Sequence, residues 1–520
     1  LDAAERLARS AWWIALALES DVELDGAVNT ASGVPITLEA DPRRTLGEAL
    51  ERQRPALLAA RADLAGAGAA LGRLPLVPAR WAALGRSAPR AVDALLVGGR
   101  IVSAQEPRNY LLLVQNDDER RATGGFISSV ALLRWEDGRL AGVEYHNSKD
   151  IEAYRAAHPA PPEALGRIMG ASILLLRDAN WSPDFPTSAE VIASLYELDM
   201  ETPVHGVIAV DPTLGALLLE ALGPLEMPGY GVRITADNLR DVVVQFWEEP
   251  LAAAALGTPG QGADWLAHRK DVGGALLDAG LQRVRHLDAA DLLPLAASLD
   301  GAIRGRHLLA WSVTDPALQA DLDRAGVTGR LLSAPGDYLQ VVDSNVGWNK
   351  ADRNVARQVH YRVAPEGDAL VAEATLTYRN DATPVEGACE HRSYYGDSYE
   401  DLANRCYWNY LRIYVPGGSR LVGATGLESV DESGELGRRV YGGLLVVPPG
   451  EERAVTFRYV LPDALREAAL QGDYALLLQQ QAGDVGSRVS VECAGARTVR
   501  AEDATGVGSR ARAALAPLVW

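Results

Sequence analysis

The segment 116–126 concentrates charged residues beside a pair of glycines. It follows the apolar run 110–114, which has the length and composition of a buried strand. Ligands of α/β domains commonly bind beyond the carboxyl ends of strands. Arg120 and Arg121, together with free backbone amides, would suit a pyrophosphate, and a nearby carboxylate such as Asp118 would hold Mg²⁺. The alternative interpretation is a solvated turn with internal ion pairs.

A second polar segment, 177–186, contains two prolines and no periodicity, which is typical of a structured loop. Its candidate ligand-binding side chains are Arg177, Asp178, Asn180, Trp181 and Asp184. Ordered loops that are rich in Asp, Asn and Trp often carry binding sites. A network of Asp and Asn side chains that only holds the loop in shape explains the composition equally well. The similar segment 343–352 lies where the pattern changes to β, and we expect a structural junction there.

Two of the three cysteines flank a polar and aromatic stretch that has little core of its own. A disulfide between Cys389 and Cys406 would close this stretch, and the chain-entropy model gives such a bridge about 3 kcal/mol of stability. The bridge requires an oxidising compartment, and the alternative is a pair of buried reduced thiols. Cys493 is left over and is expected to be a buried strand residue.

Charge and motifs exclude several classes of function. The formal net charge of −19 over 520 residues disfavours binding to nucleic-acid phosphates and attraction to an anionic membrane by charge alone. The sequence has no Gly-x-Ser-x-Gly elbow, no Walker A loop and no His-Glu-x-x-His motif. Its eight histidines include no pair at metal-ligand spacing, so a metal site built on histidine is not expected.

The periodicity along the chain predicts an α/β multidomain protein. Residues 1–98 have the pattern of an alanine-rich helical region, and residues 105–330 alternate between strand-like and helical patterns. Residues 336–500 contain short strands separated by turn signals, which suggests a β-sandwich. Residues 501–520 are interpreted as a C-terminal tail.

The N-terminal region carries no recognisable targeting segment. Its most apolar stretch, 11–18, is too short to cross a bilayer, which needs about 20 apolar residues, and it lacks the layout of a signal peptide. The sequence starts at Leu1 rather than Met, so processing is expected, and an upstream signal or anchor is left open. Pro55 is expected to break or kink the helical pattern 46–71.

Several long motifs are spread over residues 105–480. They are Tyr110-Leu-Leu-Leu-Val-Gln115-Asn116, Glu119-Arg120, Thr123-Gly-Gly-Phe126, Arg177-Asp-Ala-Asn-Trp-Ser-Pro-Asp-Phe-Pro186, Gly206-Val-Ile-Ala-Val-Asp-Pro212, Leu222-Gly-Pro224, Asp343-Ser-Asn345 and Asn349-Lys350-Ala-Asp352. Together they resemble the bacterial domain of unknown function 4012. That family implies no established activity, and its members usually carry an N-terminal membrane anchor, which agrees with the helical N-terminal region.

The order of elements is also similar to the LytR–CpsA–Psr family of cell-envelope enzymes. Asp118-x-Arg120 after the first strand is similar to that family's Asp-x-Arg, and Ser148-Lys149-Asp150 stands where it has Pro-Arg-Asp. Those enzymes transfer glycopolymers from a polyprenyl-pyrophosphate carrier to peptidoglycan, with Arg and Mg²⁺-binding Asp residues beside an apolar lipid tunnel. The resemblance implies that the pyrophosphate is bound by Arg120, Arg121, Lys149 and Arg177, with Arg269 in the nearest counterpart of a later Arg-rich stretch. It implies that Mg²⁺ is held by Asp118, Asp150 or Asp178 and that an Asp deprotonates the acceptor hydroxyl.

This sequence departs from the LytR–CpsA–Psr pattern in ways that affect catalysis. Lys149 replaces an Arg and gives up the bidentate contact that a guanidinium makes with phosphate. The family's Arg-Ser-Asp before the second strand is replaced near Gly124-Gly125-Phe126, which removes a metal ligand. We therefore expect a LytR–CpsA–Psr-like fold that lacks the full catalytic machinery, and whether the protein is an enzyme stays open.

The sequence predicts an extracytoplasmic protein of the bacterial cell envelope with a structural or scaffolding role. Its partners would be other envelope proteins or further copies of itself, and it would reach a membrane only through an N-terminal anchor that is not in view. The alternative is a Mg²⁺-dependent phosphotransferase, or a binder, that acts on polyprenyl-pyrophosphate-linked glycopolymers in cell-wall assembly. Geometry separates the two hypotheses, because the alternative requires the Arg and Asp side chains to converge at the mouth of an apolar tunnel.

Overall fold

The computed structural model describes residues 42–72, 79–154, 157–227, 231–248, 271–284, 291–333, 335–393, 398–484, 486–493, 496–504 and 508–515. Its described N-terminal part consists of helices α1 (Pro42–Arg52), α2 (Arg54–Gly72) and α3 (Ala79–Val102). The chain leaves the helical conformation at Gln53, and Pro55 lies in the first turn of α2, where a proline interrupts no helical hydrogen bond. The break that Pro55 predicts is therefore present.

The central region is built on a five-stranded sheet in the order β3-β2-β1-β4-β7. The strands are β1 (Arg108–Asn116), β2 (Phe126–Glu136), β3 (Arg139–Asn147), β4 (Gly206–Val210) and β7 (Leu308–Ser312). The middle strand, β1, pairs antiparallel with β2 and parallel with β4, so the carboxyl ends of β1 and β4 meet at one edge. One face of the sheet packs on α5 (Phe185–Met200), and the other packs on α3, α9 (Leu292–Arg304) and α10 (Pro316–Ala325).

Helices between β4 and β7 form a separate apolar layer beside this sheet. They are α6 (Pro212–Leu222), α7 (Leu239–Glu248) and α8 (Asp271–Val284), while the shorter α4 (Glu163–Met169) precedes α5. The sequence pattern predicts mainly helix in this part of the chain, but a small hairpin of β5 (Leu225–Met227) and β6 (Val232–Ile234) lies between α6 and α7. Strands of three to five residues, including β7, are too short to show a period of two.

The C-terminal region consists of two sheets that pack on a shared core. The five-stranded sheet has the order β12-β15-β10-β9-β17, and the seven-stranded sheet has the order β13-β14-β11-β8-β16-β19-β18. Their elements are β8 (Asp337–Val342), β9 (Val355–Glu366), β10 (Ala369–Asn380), α11 (Tyr399–Ala403), β11 (Tyr407–Pro416), β12 (Arg420–Thr425), β13 (Asp431–Glu435), β14 (Arg438–Val447), β15 (Glu452–Val460), α12 (Asp463–Leu470), β16 (Tyr474–Gln479), β17 (Arg488–Cys493), β18 (Ala496–Ala504) and β19 (Gly508–Leu515). The core contains fully buried aromatic side chains from both sheets, such as Tyr361 and Tyr441.

Strands β18 and β19 extend the seven-stranded sheet. Of the tail expected for 501–520, the described residues 501–504 and 508–515 lie in these strands, and β19 pairs antiparallel with β16 from Tyr474 opposite Ala513. This Ala- and Gly-rich sequence has a weak strand signal, because alanine and glycine have low strand propensity. The backbone pairing of β19 with β16 sets the strand conformation instead.

A buried ionic network joins the central and C-terminal regions. Arg357 on β9 donates to the carboxylates of Asp343 and Asp484, and Arg120 Nη1 lies 3.5 Å from Asp484 Oδ1. The backbone N–H of Arg120 donates to Asp352 Oδ2 at 2.9 Å. Burial raises the pKa of Asp352 to about 6 even though Arg120 opposes the shift. Burial also favours the neutral form of Asp484, but Arg357 and Arg120 outweigh it and lower that pKa.

Candidate ligand-binding cavity

A cavity of about 960 Å³ lies between the carboxyl edge of the central sheet and helices α6, α7 and α8. Its apolar part is lined mainly by leucine and valine side chains. These are Leu214, Leu218, Leu219, Leu222, Leu225, Leu239, Val243, Val244, Leu276, Leu277, Leu281 and Val284. The cavity continues without interruption to charged side chains that follow β1.

Local sequence sets the positions of the helices that form the apolar part. Helix α6 begins where the Asp211 side chain accepts a hydrogen bond from the backbone N–H of Leu214 at 3.1 Å. Helix α8 approaches β3 closely, because a Cβ on Gly273 would lie 2.0 Å from the hydroxyl oxygen of Tyr145. Glycine at this position therefore allows α8 to close one side of the cavity.

Charged side chains of both signs line the cavity. Among the described residues these are the cations Arg121, Lys149, Arg177, Arg240, Arg283 and Lys350 and the carboxylates Asp118, Glu119, Asp178 and Asp211. Three of the cations also pair with carboxylates just outside the lining, Arg240 with Asp117, Arg177 with Glu152 and Arg283 with Asp291.

Arg121 is the most deeply buried of these cations, at 1% exposure. Its Nη2 donates to Glu119 Oε1 and Asp178 Oδ1, both at 3.2 Å, and its Nη1 donates to the backbone oxygen of Asn345. Burial opposes the charge on Arg121, but Glu119 and Asp178 outweigh it, so its pKa is raised. Its buried Nε has no hydrogen-bond partner among the described residues. Arg121 therefore keeps its charge beside the polar end of the cavity.

Asp118 lies at the same end and accepts a hydrogen bond from the Tyr399 hydroxyl at 2.7 Å. Burial, followed by the neighbouring Asp117, raises the pKa of Asp118, while Tyr399 and the guanidinium of Arg240 act in the opposite direction. Arg240 holds Asp117 in a bidentate pair with N–O distances of 2.8 and 2.6 Å. A carboxyl with a raised pKa at a cavity is a candidate for proton exchange with a ligand.

Arg177 and Lys149 complete the part of the site that the sequence predicts. Arg177 Nη1 donates to Glu152 Oε2 at 3.0 Å, and its Nε lies 3.7 Å from Asp178 Oδ2. Burial raises the pKa of Glu152, and Arg177 reduces that rise. Lys149 is half-buried in the turn after β3. The structure therefore brings together the predicted residues Asp118, Arg121, Lys149, Arg177 and Asp178.

Sequence reasoning missed three side chains at the polar end. Arg240 comes from α7, where no motif marks it. Lys350 donates to Glu119 Oε2 at 2.6 Å and lies in the segment expected to be only a structural junction. Tyr399 comes from α11 in the C-terminal region. The only available signal was the density of polar residues around Lys350, because the contacts join segments more than 100 residues apart.

Arg120 and Asp150 do not join the cavity lining. Arg120 extends to the junction network, where its guanidinium lies beside Asp352 and Asp484. Asp150 is exposed in the turn after β3. Arg269 lies outside the described residues.

Three predicted ligand-binding residues of the loop 177–186 have structural contacts instead. Asn180 Nδ2 donates to Gln115 Oε1 at 2.8 Å, Thr123 Oγ1 at 3.0 Å and the backbone oxygen of Gly125 at 2.8 Å. Trp181 stacks on Tyr410 with ring centroids 5.5 Å apart, and the Arg412 guanidinium lies 4.6 Å from the Trp181 ring. Asp184 caps α5 by accepting from the backbone N–H of Thr187 at 3.2 Å. The loop is held in shape by these side chains.

The expected Mg²⁺ site does not fit the described residues. Asp118 and Asp178 line the cavity, but Asp178 is paired with the Arg121 guanidinium at 3.2 Å, and Asp150 is exposed and does not line the cavity. In the part of the chain that the structure describes, no group of three or more His, Cys, Asp or Glu side chains is arranged to hold a metal ion. We therefore derive no step through a metal.

The cysteines pair as the sequence predicts. Cys389 and Cys406 form a disulfide with their Cα atoms 4.9 Å apart, and Cys493 is a free, buried thiol at the end of β17. Within the described ranges, no helix is both long and apolar enough to span a membrane.

Comparison with known proteins supports one of the two resemblances. Residues 105–246 match the family model described as protein of unknown function (DUF4012). This DUF4012 segment runs from just before β1 to α7 and contains much of the cavity lining. No curated protein matches the sequence significantly. The LytR–CpsA–Psr resemblance stays a prediction.

Solved structures give only distant likenesses. Protein gbs0355 from Streptococcus agalactiae is 13% identical over 44% of this chain and 76% of its own, with a TM-score of 0.28. Lin1025 from Listeria innocua is 11% identical over 43% of this chain and 80% of its own, with a TM-score of 0.22. An M1 zinc metallopeptidase from Deinococcus radiodurans is 14% identical over 31% of this chain and 40% of its own, with a TM-score of 0.12. At these scores the function must be argued from the cavity itself.

Proposed function

We propose that this protein binds a lipid-linked anionic ligand of the polyprenyl-pyrophosphate class. The observation that carries the proposal is the continuity of one cavity from the leucine-rich helices α6 to α8 to the cations beside β1. Its volume of about 960 Å³ is at the upper end of the range of roughly 300–1,000 Å³ for ligand pockets. Each lipid methylene that enters such a site gains about 0.8 kcal/mol.

The polar end supports an anionic head group. Arg121 keeps its charge although it is buried, and its Nε has no partner among the described residues. Lys149 and Arg177 lie beside it in the cavity lining. Arginine and lysine are the side chains that proteins use for phosphate, and a water-poor site strengthens their effect. An apolar chain and a phosphate in one molecule would use both parts of the cavity.

The proposal is for binding and not for group transfer. Asp118 and Asp150 do not come together, and Arg120 is used in the junction network. The structural or scaffolding role in the cell envelope, with other envelope proteins or further copies as partners, is the second candidate. Its support is that Trp181 stacks on Tyr410 of the C-terminal region, while Asn180 and Asp184 hold the loop in shape.

We place the protein outside the cytoplasm in this proposal. The support is the Cys389–Cys406 disulfide, because disulfides persist in oxidising compartments and are rare in the cytosol. Polyprenyl carriers of glycopolymers are used in the cell envelope, which agrees with that location.

The test is binding of a polyprenyl diphosphate in detergent micelles, measured by intrinsic tryptophan fluorescence and native mass spectrometry. Gly280 on α8 lines the cavity, and a Cβ built on it meets no atom within 4 Å. Gly280→Leu should therefore fill the lipid path while stabilising α8 by a few tenths to about 1 kcal/mol. We expect it to weaken binding by about tenfold or more, which is a loss of roughly 1.4 kcal/mol.

Gly98→Leu is the matched control. Gly98 lies on α3, outside the cavity lining, and a Cβ there also meets no atom within 4 Å. It should bind like the wild type, and inorganic pyrophosphate should bind far more weakly than the lipid form. Absence of lipid binding by the wild type, or equal binding by Gly280→Leu, would refute the proposal.

A further inference from the structure

One wall of the cavity comes from the disulfide-closed stretch of the C-terminal region. Residues 398–406, which we name the wall segment, contain Tyr399 and Leu402, and both line the cavity. The wall segment includes α11 and ends at Cys406, immediately before β11. Its far end is therefore fixed to the seven-stranded sheet, and Cys389 holds the same point through the disulfide.

Tyr399 ties the wall segment to the central region. Its hydroxyl donates to Asp118 Oδ2 at 2.7 Å and accepts from Asn116 Nδ2 at 3.3 Å. Its backbone N–H donates to Glu248 Oε1 at 2.9 Å, at the end of α7. Burial, followed by the charge of Asp118, raises the pKa of Tyr399 well above its usual value. The hydroxyl therefore stays protonated at neutral pH and can donate its hydrogen bond to Asp118.

The other end of the wall segment is fastened next to the disulfide. Arg405 Nη2 makes contacts of 3.0 and 2.9 Å with the carboxylate of Asp401, and its Nη1 donates to the backbone oxygen of Gly387 at 3.1 Å. The Cys406 N–H donates to the Ala388 oxygen at 3.0 Å. The disulfide and these hydrogen bonds thus fix the Cys406 end of the wall segment. Tyr399 fixes the other end, which faces the cavity.

We propose that the Cys389–Cys406 disulfide controls how fast a ligand leaves the cavity, because it keeps Tyr399 on Asp118. The inference rests on the proposed function and adds its regulation. A dithiol reductant delivers two electrons and two protons to the bridge, the S–S bond breaks into two thiols, and the reductant becomes a disulfide. The wall segment then loses its covalent tie to Cys389, so Tyr399 leaves Asp118 more often and the polar end opens.

The experiment measures the dissociation rate of a polyprenyl diphosphate by stopped-flow tryptophan fluorescence. It compares oxidised wild type, dithiothreitol-treated wild type and the double variant Cys389→Ser with Cys406→Ser. We expect both forms without the bridge to release the ligand roughly tenfold faster than oxidised wild type. Tyr399→Phe removes only the hydroxyl, and it should raise the rate by about threefold to tenfold with the bridge intact.

Cys493→Ser is the matched thiol control. Cys493 is the free cysteine, so this variant should match wild type when oxidised and should still respond to reductant. Hydrogen–deuterium exchange of 398–404 in the ligand-free protein gives an independent reading and should become faster on reduction. Ligand binding with an unchanged release rate and unchanged exchange would overturn the inference alone. Failure of oxidised wild type to bind lipid would overturn the proposed function, and the exchange of 398–404 would still show whether the bridge holds the wall.

Discussion

The interior between the two C-terminal sheets is filled, whereas the interior beneath α6, α7 and α8 is open. Side chains such as Leu411 and Phe457 are completely buried between the sheets. Leucines of α6 and α8 instead face a space of about 960 Å³. Close packing gives stability, and an unfilled apolar space is available to a ligand. The comparison assigns stability to one region and recognition to the other.

Two neighbouring arginines serve the two regions. Arg120 and Arg121 are neighbours in sequence, but Arg120 enters the junction network and Arg121 lines the cavity. Both have carboxylate partners, since Asp484 lies beside Arg120, and Glu119 and Asp178 accept hydrogen bonds from Arg121. The difference between them is therefore one of position, because Arg121 lines the cavity and Arg120 does not.

The largest effect is expected when Arg357, the cation of the junction network on β9, is replaced. Arg357→Met leaves Asp343 buried without its guanidinium and leaves Asp484 with Arg120 alone, and it should lower the free energy of unfolding by about 3–5 kcal/mol. Urea unfolding followed by circular dichroism measures the change. Arg453→Ala, on an exposed side chain paired with Glu451, is the control and should change stability by less than about 0.5 kcal/mol. A small effect of Arg357→Met would show that this buried ion-pair network contributes little to stability.

Truncation of one leucine in each interior sharpens the comparison. Leu411→Ala in the filled core should lower the free energy of unfolding by about 2–5 kcal/mol, because it creates a new void. Leu218 already faces the cavity and is half-buried, so Leu218→Ala should cost less than about 1.5 kcal/mol. The same urea experiment compares them, and equal losses would mean that the cavity is closed in solution.

Buried Asp337 predicts a pH dependence that belongs to the filled region. Its Oδ2 accepts from the hydroxyls of Tyr361 at 2.6 Å and Tyr474 at 2.5 Å, and burial raises its pKa from 3.8 to about 6 despite these bonds. Between these two values the folded state keeps a proton that the unfolded state has lost. The contribution of Asp337 to stability therefore falls as the pH rises through this window and is constant above it.

Asp337→Asn cannot ionise and should lose this dependence. From pH 4 to pH 7, the stability of the variant relative to wild type should improve by about 2 kcal/mol. Urea unfolding of both proteins at each pH gives the difference. A difference that does not change with pH would contradict a buried acid at this position.

The smallest expected effect concerns the head group. Lys149→Gln removes one half-buried cation from the cavity and should weaken binding of polyprenyl diphosphate about fivefold, or roughly 1 kcal/mol, with little change in stability. Equilibrium fluorescence titration at fixed salt measures the affinity. Arg134→Gln is the control, because Arg134 pairs with Glu144 on the sheet surface away from the cavity. If both variants lose the same affinity, the effect is one of overall charge.

The strands with clear apolar runs could be predicted from sequence, and those set by pairing could not. The apolar runs around Leu111 and Val130 predict strands there, and the structure confirms both as β1 and β2. The strands β7 and β19 lack such a signal. Their conformation comes from pairing with β4 and β16, which lie about 100 and 35 residues earlier in the chain.

The candidate site was predictable only where one segment supplies it. Asp118, Arg121, Arg177 and Asp178 follow strand or loop signals and do line the cavity. Arg120 has the same residue type as its neighbour Arg121, but its guanidinium lies beside Asp484 in the junction network, and no sequence pattern distinguishes the two arginines. Tyr399 could not be found, because its contact with Asp118 spans 281 residues.

Lys350 and Tyr399 reach from the C-terminal region to Glu119 and Asp118, respectively. Both regions of the chain therefore supply side chains to the cavity. Chimeras that graft the central region of one relative onto the C-terminal region of another should lose the pocket unless these pairs are transferred together. Among natural relatives, the residues at positions 119 and 350, and those at 118 and 399, should accordingly covary.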